Sequence, residues 1–262
     1  VSLVATQVKD FYELLNTVLP GGGPRPIYKE GIEPNYTGKY NSKKDAHAAA
    51  RETNEKICEE GMILLKNKNN ALPIKTSKSG GESNPKVTVF GKNSVNIAFG
   101  GSGSGGANTS NATSLNDGLR AEGFDVNPTV EEFYKDDAKS GAARKAGSND
   151  LYSGVTTVLS TAETPQDKYT EEVKSSYTEY SDAAIIVITR IGGEGFDMPR
   201  VMTGSTGYRN EDDHFLQLDA NEEDLVESVC KAGFSKVILL LNTGTPMEVG
   251  FLEKGTNYVT KK

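Results

Sequence analysis

Histidine and cysteine are scarce in this chain, with two of each in 262 residues. The histidines are His47 and His214, and the cysteines are Cys58 and Cys230. A zinc or other transition-metal centre needs more such ligands, so no metal site is expected. Both cysteines fall on predicted helices and are expected as small buried thiols rather than as a disulfide. A basic excess is also missing. Lys and Arg number 29 against 36 Asp and Glu, for a net charge of −7 and a pI ≈ 5.1, whereas a nucleic-acid binder carries a basic face. No nucleic-acid partner is expected. No apolar run reaches the roughly 18 residues of a membrane-crossing helix. The chain opens at Val1 with neither a Met nor a positively charged leader, and is read as an internal piece of a longer product.

What is present suits a soluble globular protein of one or two domains. Hydrophobic residues make up 35% and charged residues 25%, and the mean hydropathy of −0.50 leaves room for loops. Residues 3–18 carry a helical apolar pattern that Pro20 and "GGGPRP" end. An extended arm rich in Gly, Pro, Asn and Tyr follows to residue 42. Ser42 then reads as the N-cap of a long helix to about Glu60. "GMILLKNKNNALPI" is an apolar segment that turns at Asn69-Asn70, and residues 75–85 form a polar loop. From there the chain alternates. "KVTVFG" (86–91), "FDVN" (124–127), "AAIIVIT" (183–189) and "KVILLLN" (236–242) read as strands. Helices are predicted at 113–123, 129–138, 165–181 and 220–233, and another opens at "PMEVGFLE". In the helix at 220–233, Leu225, Val226, Val229 and Cys230 are expected on one side. Strands that are continuous apolar runs separated by helices indicate an α/β fold with a mostly parallel sheet covered on both faces. The expected domains are 1–42, an N-terminal helix and extended linker, and 43–262, the α/β sandwich.

Sites in such sheets form beyond the carboxyl ends of the strands. Three loops leave those ends. The first holds "FGGSGSGG", 99–106. A P-loop would end in Gly-Lys-Ser/Thr, and a dinucleotide fingerprint would place its glycines directly on the strand-to-helix turn; neither condition is met. A plain surface loop and a ligand-approaching backbone both remain open for it. The second is "RIGGEGFDMPR", 190–200, where Glu194 stands between glycines just past a buried strand. It is either a solvated turn with an incidental acid or a mobile general acid that swings to a substrate held by something else. Asp197 and Arg200 could orient that acid or anchor its loop. In the third, "LLLNTGTPMEV", Pro246 suits a helix N1 position and Glu248 the first turn, where a carboxylate complements the helix dipole.

Taken in order, "EEGMILLKNKNNALPI", "KVTVFGKNSVNIAFGGSGSGG", "TSLNDGLRAEGFDV", "AAIIVITRIGGEGFDMPR", "QLDANEEDLVESV" and "KVILLLNTGTPME" closely resemble the α/β-sandwich domain of family 3 glycoside hydrolases, over roughly 43–253. Each motif alone is weak, but six in the right order with fitting spacing are specific. The resemblance implies a retaining β-glycosidase of the β-glucosidase type, acting on terminal β-linked sugars of an oligosaccharide or glycoside. In that family a (β/α)8 barrel supplies an aspartate nucleophile, and the sandwich projects a loop carrying the glutamate acid/base, which maps onto Glu194. The expected substrate contacts, from the loops past the strand ends, are Gly101, Ser102, Gly103, Ser104, Asp197 and Arg200. No cofactor is implied. The expected protein partner is the barrel domain of the same full-length protein, because no carboxylate in the nucleophile context occurs here. The C-terminal "EKGTNYVTKK" stops where the family's sheet continues, so truncation is expected there. By analogy with relatives in which the barrel follows, a cell-surface or extracellular location is favoured and a cytoplasmic one stays open, with membrane contact only through an anchor upstream of Val1. Two rivals remain: a non-catalytic carbohydrate-binding or scaffolding module of the same fold, and a flavodoxin-like nucleotide or phosphate binder.

Overall fold

The structure, a computed structural model, describes residues 39–40, 42–101, 106, 108–144, 148–149, 156–157, 161–192, 194, 198, 200–202 and 213–252. The helix predicted over 3–18 and nearly all of the arm after it lie outside these residues. Contacts divide the chain into two units, residues 1–64 and 65–262. In the first, helix α1 spans Lys43–Gly61. As expected, Ser42 caps it, its side chain accepting from the Asp45 N–H. A Glu52–Lys56 pair one turn apart lies along its surface. None of its residues is buried, and Cys58 is free and exposed, contrary to the expected buried thiol.

The second unit is built on a four-stranded parallel sheet in the order β2-β1-β5-β6. Its strands are β1 (Lys86–Phe90), β2 (Asp125–Val126), β5 (Ala183–Arg190) and β6 (Val237–Thr243). The helices are α2 (Leu115–Ala121), α3 (Pro128–Lys135), α4 (Asp137–Ser140), α5 (Glu171–Ser175) and α6 (Ala220–Lys231). A short antiparallel pair, β3 (Ser148–Asn149) with β4 (Thr156–Thr157), lies in the excursion after α4. Sequence pattern gave no sign of that pair.

The period-2 alternation of strand side chains explains how one sheet serves two cores. Phe90, Ile186 and Ile188 face one side and pack with Val130 and Phe133 of α3 and Leu225 and Val229 of α6. Val87, Val89, Ile185 and Val187 face the other, against Leu115 and Leu119 of α2, Phe124 and Ile74. All eight residues of β5 are buried, as a central strand between covered faces requires. This is the α/β sandwich that the apolar runs imply.

Local chemistry sets the element ends. Ser114 caps α2 and Gly123, at φ 91°, turns the chain out of it. Asn69 and Asn70 both adopt positive φ at the expected turn. Gly91 ends β1 at φ 97°, and a Cβ there would lie 2.5 Å from the Val187 carbonyl oxygen.

Three local expectations are corrected. The predicted helix 165–181 is broken into a 3-10 turn (Gln166–Lys168), α5 and a second 3-10 turn (Ser176–Thr178). Thr170 restarts the helix, its side chain accepting from the Val173 N–H, so the period cannot run through. No helix opens at Pro246; only Gly250–Leu252 coils, because the Glu248 N–H is committed to the Leu216 carbonyl at 2.9 Å. On α6, Leu225 and Val229 are buried, but Cys230 is free and exposed rather than on the apolar side.

Candidate active site

Because β1, β5 and β6 are adjacent and parallel, the three loops singled out from sequence leave the same edge of the sheet. That edge is tied together by side chains. Asn242, the next-to-last residue of β6, binds the backbone of Ala98 through both groups of its amide: its Oδ1 accepts from the Ala98 N–H at 2.7 Å and its Nδ2 donates to the Ala98 carbonyl at 3.2 Å. The Thr189 hydroxyl lies 3.3 Å from the same Oδ1. The strand ends therefore fix the residue from which the glycine loop departs.

Glu194 is exposed and lies four residues past the end of β5. The loop that bears it has a packed stem. Ile191, Met202 and Phe215 form a small buried cluster, with Met198 and Ala98 against it. Val201 bridges His214 antiparallel, and the Met202 N–H donates to the Asp213 carbonyl at 2.8 Å. Ala98 thus belongs both to the start of the glycine loop and to the footing of the Glu194 loop. Arg200 is exposed at the returning end. Gly101 lines a cavity of about 430 Å³ at this edge, shared with Ile191, Phe99 and Arg144. Ser102, Gly103, Ser104 and Asp197 lie outside the described residues.

Beneath the loop is a buried ionic anchor that sequence reading missed. Arg190, the last residue of β5, is fully buried. Its Nη atoms reach both carboxylate oxygens of Glu222 at 2.6 Å, and its remaining bonds go to the carbonyls of Thr189, Phe215 and Gln217. Glu222 also closes the capping box of α6 with Asp219. Burial pushes the Glu222 carboxyl up, and the Arg190 guanidinium opposes it. Two short bonds to an always-charged fork keep the pair ionised. The 215–217 segment is thereby fixed to the strand that launches Glu194.

A second buried carboxyl, Glu163, accepts from the backbone N–H groups of Lys92 and Thr164. Burial pushes its pKa to about 8, and nearby Glu222 and Asp219 push in the same direction. Thr161, two residues earlier, donates to the buried Asp219. The 161–164 segment thus links the turn after β1 to the start of α6. Lys92, almost fully buried, stitches that turn to α3 and α4 through the Tyr134 carbonyl at 2.6 Å, Asp137 at 2.7 Å and Ser140 at 2.9 Å. Among the described residues, no group of three or more His, Cys, Asp or Glu is placed to hold a metal ion.

The class that fold and loop placement define is a parallel α/β sandwich whose sequence sets a glycine-flanked acid just past the central strand. The family model "Glycosyl hydrolase family 3 C-terminal domain" matches residues 62–258, and the chain belongs to that family. It is 27% identical over 214 residues to Beta-glucosidase A of Butyrivibrio fibrisolvens, covering 74% of this chain and 22% of that protein. It is 30% identical over 196 residues to a Beta-glucosidase of Ruminococcus albus, covering 74% of this chain and 18% of that protein. Among solved structures it resembles β-glucosidase 3B from Thermotoga neapolitana in complex with glucose, with a TM-score of 0.57 and 26% identity over 81% of this chain and 26% of that one. The chain therefore spans about a quarter or less of the length of these relatives.

Proposed function

We propose that this chain is the acid/base-bearing part of a retaining β-glucosidase-like enzyme, with Glu194 as the general acid/base. The observation that carries the reading is the position of Glu194: exposed, on a glycine-flanked loop leaving the central strand, above a stem fixed by Arg190 and the Ile191–Met202–Phe215 cluster. A packed footing beneath a carboxylate that the sequence flanks with glycines suits a group that must reach a sugar held by another domain. The relatives that match are named as β-glucosidases, which supports this substrate class.

In this reading a (β/α)8 barrel of the same full-length protein holds the β-glycoside and supplies the nucleophilic carboxylate. Glu194 donates its proton to the glycosidic oxygen as the bond from C1 to that oxygen breaks and the barrel carboxylate bonds to C1. The deprotonated Glu194 then takes a proton from the water that displaces the carboxylate. A general acid works best with its pKa near the operating pH. Glu194 is exposed in this chain, so the partly desolvated setting that a general acid needs is assigned to closure against the barrel. Gly101, Ser102, Gly103, Ser104, Asp197 and Arg200 are proposed to wall the site on the sandwich side.

The test is Glu194→Ala in the complete enzyme. Loss of acid–base assistance costs roughly 10²–10⁴-fold for substrates with poor leaving groups. Activated aryl glucosides should lose less in the first step and accumulate the glycosyl-enzyme. Azide should then relieve the block and yield the β-glycosyl azide, since it attacks C1 without needing a base. Turnover of poor and good leaving groups left unchanged by Glu194→Ala removes the assignment.

A further inference from the structure

The 430 Å³ cavity at the carboxyl edge of the sheet holds a cation for which none of its described lining residues supplies a counter-charge. Arg144 is half-buried in its wall. Its Nε donates to Asn93 Oδ1 at 2.9 Å and one terminal nitrogen donates to the Asn96 carbonyl at 2.8 Å. Both acceptors are neutral, and the other terminal nitrogen has no partner among the described residues. No Asp or Glu occurs among the described residues that line the cavity. The acceptors are themselves built in: Asn93 is fully buried, and its Nδ2 donates to the Thr161 carbonyl at 3.1 Å. The guanidinium is therefore held in a set orientation with one edge unused.

A second, independent observation lies in the same wall. Ser94 is 2% exposed, lines the cavity, and its hydroxyl has no hydrogen-bond partner among the described residues. Buried hydroxyls are ordinarily satisfied, and one left without a partner in a cavity wall marks the place of an absent acceptor or donor. Phe99, 48% exposed, lines the same space.

We propose that this cavity binds an oxyanionic group, a carboxylate or a phosphate carried on the substrate, with Arg144 as its recognition group and the Ser94 hydroxyl as a second donor. The substrate-borne part rests on the function proposed above; the anion site itself does not. A guanidinium edge matches the paired oxygens of carboxylate and phosphate. A neutral hydroxyl would leave the charge in the cavity uncompensated, which is the costly arrangement. Burial with no carboxylate to offset it already pulls the Arg144 pKa below its usual value. In a chain of net charge −7 this isolated cation gives the site its preference for an acidic sugar or an acidic leaving group. Phe99, in the same lining, adds an aromatic surface for the ring that carries the charge.

The experiment is calorimetric titration of the 262-residue chain, at constant ionic strength, with glucuronate, glucose 6-phosphate, inorganic phosphate and glucose. Saturable binding of glucuronate or glucose 6-phosphate, with glucose bound more weakly, is the expected result, and the tighter of the two names the anion. Losing a charge-assisted hydrogen bond corresponds to roughly 10–100-fold, so Arg144→Gln should weaken the anion by that factor while leaving glucose unaffected. Ser94→Ala should weaken it several-fold. If Arg144→Gln does not fold, Arg144→Lys serves, with an intermediate loss expected because the charge survives without the fork. Inorganic phosphate bound as tightly as the charged sugars overturns the substrate-borne part. Failure of every anion to bind, or affinities unchanged in the Arg144 and Ser94 variants, overturns the site. Anion binding found beside a complete enzyme that shows no glycosidase activity counts against the proposed function and not against the anion site.

Discussion

Glu163 and Glu131 set opposite limits on the pH range in which this domain is most stable. Glu163 is fully buried, and burial, helped by Glu222 and Asp219, moves its pKa from 4.5 to about 8. Between those values the folded chain holds a proton that the unfolded chain has lost, so its stability falls as pH rises across that window. Each unit of separation weighs about 1.4 kcal/mol. Glu131 behaves in the opposite way. Burial works against its charge, but Arg120 and Lys135 outweigh it and bring its pKa from 4.5 to about 2. The stability it contributes is present above 4.5 and is lost as pH falls toward 2. Thermal melts of the chain should therefore give the highest midpoint on the mildly acidic side, near the ordinary carboxylate pKa. Glu163→Gln, which mimics the protonated carboxyl and keeps an acceptor for the Lys92 and Thr164 N–H groups, should flatten the decline between pH 5 and 9. An unaltered slope in that variant would mean that Glu163 is ionised throughout. Gly91 makes a separate residue-scale case. At φ 97°, with a would-be Cβ 2.5 Å from the Val187 carbonyl oxygen, Gly91→Ala combines backbone strain of about 1–3 kcal/mol with a main-chain clash. A clearly lowered melting midpoint is expected, and an unchanged midpoint would show that β1 and β5 can separate there at little cost.

The elements were more legible than the contacts that join them. The apolar runs of β1, β5 and β6, the Ser42 and Ser114 caps and the Gly123 stop are local signals, and local periodicity carried them into the structure. The helix expected at Pro246 was a local signal too, and it lost to a long-range bond between the Glu248 N–H and the Leu216 carbonyl. The clamp of Asn242 on Ala98 spans 144 residues, the Asn93–Arg144 bond spans 51, and the Arg190–Glu222 pair spans 32. No periodicity records such pairs. Arg144 stands in a Gly- and Ala-rich stretch with no signal at all. The position of Glu194 was readable because a glycine-flanked acid past a buried strand is itself a local pattern; the anchor beneath it was not. That anchor gives an element-scale prediction. Glu222→Ala leaves the Arg190 charge buried and unpaired and removes half of the α6 capping box, so a loss of about 3–5 kcal/mol is expected in chemical denaturation. Replacing both partners by Met should recover much of it, because an apolar pair of similar volume leaves no orphaned charge. If the double variant is as unstable as Glu222→Ala, the carbonyl contacts of Arg190 carry the energy instead of the ion pair.

At the scale of the whole molecule, the proposed role of Glu194 accounts for one of the two carboxylates that a retaining mechanism needs. Retaining glycosidases hold their carboxyl groups about 5–5.5 Å apart across the scissile bond. Near Glu194 the described residues offer a glycine loop, an apolar footing and arginines, while the buried carboxyls Glu163, Asp219 and Glu222 are committed to backbone and to Arg190. Using one of them as a nucleophile would dismantle the anchor that positions the loop. Under the proposed function the sandwich supplies the proton-transfer group and another domain the nucleophile, a division that suits a chain about a quarter or less of the length of its β-glucosidase relatives. The 262-residue chain assayed alone should therefore release no aryl alcohol from aryl β-glucosides above background, even with activated leaving groups that need no protonation. The complete gene product should hydrolyse the same substrates with retention of anomeric configuration, read by NMR of the first-formed sugar. Turnover by the isolated chain that persists in Glu194→Ala would place a full catalytic pair within these residues and end the two-domain reading. Inversion by the complete enzyme would require the two carboxyl groups to stand about 6.5–9.5 Å apart, with water between them, and would make Glu194 an acid that never returns as a base.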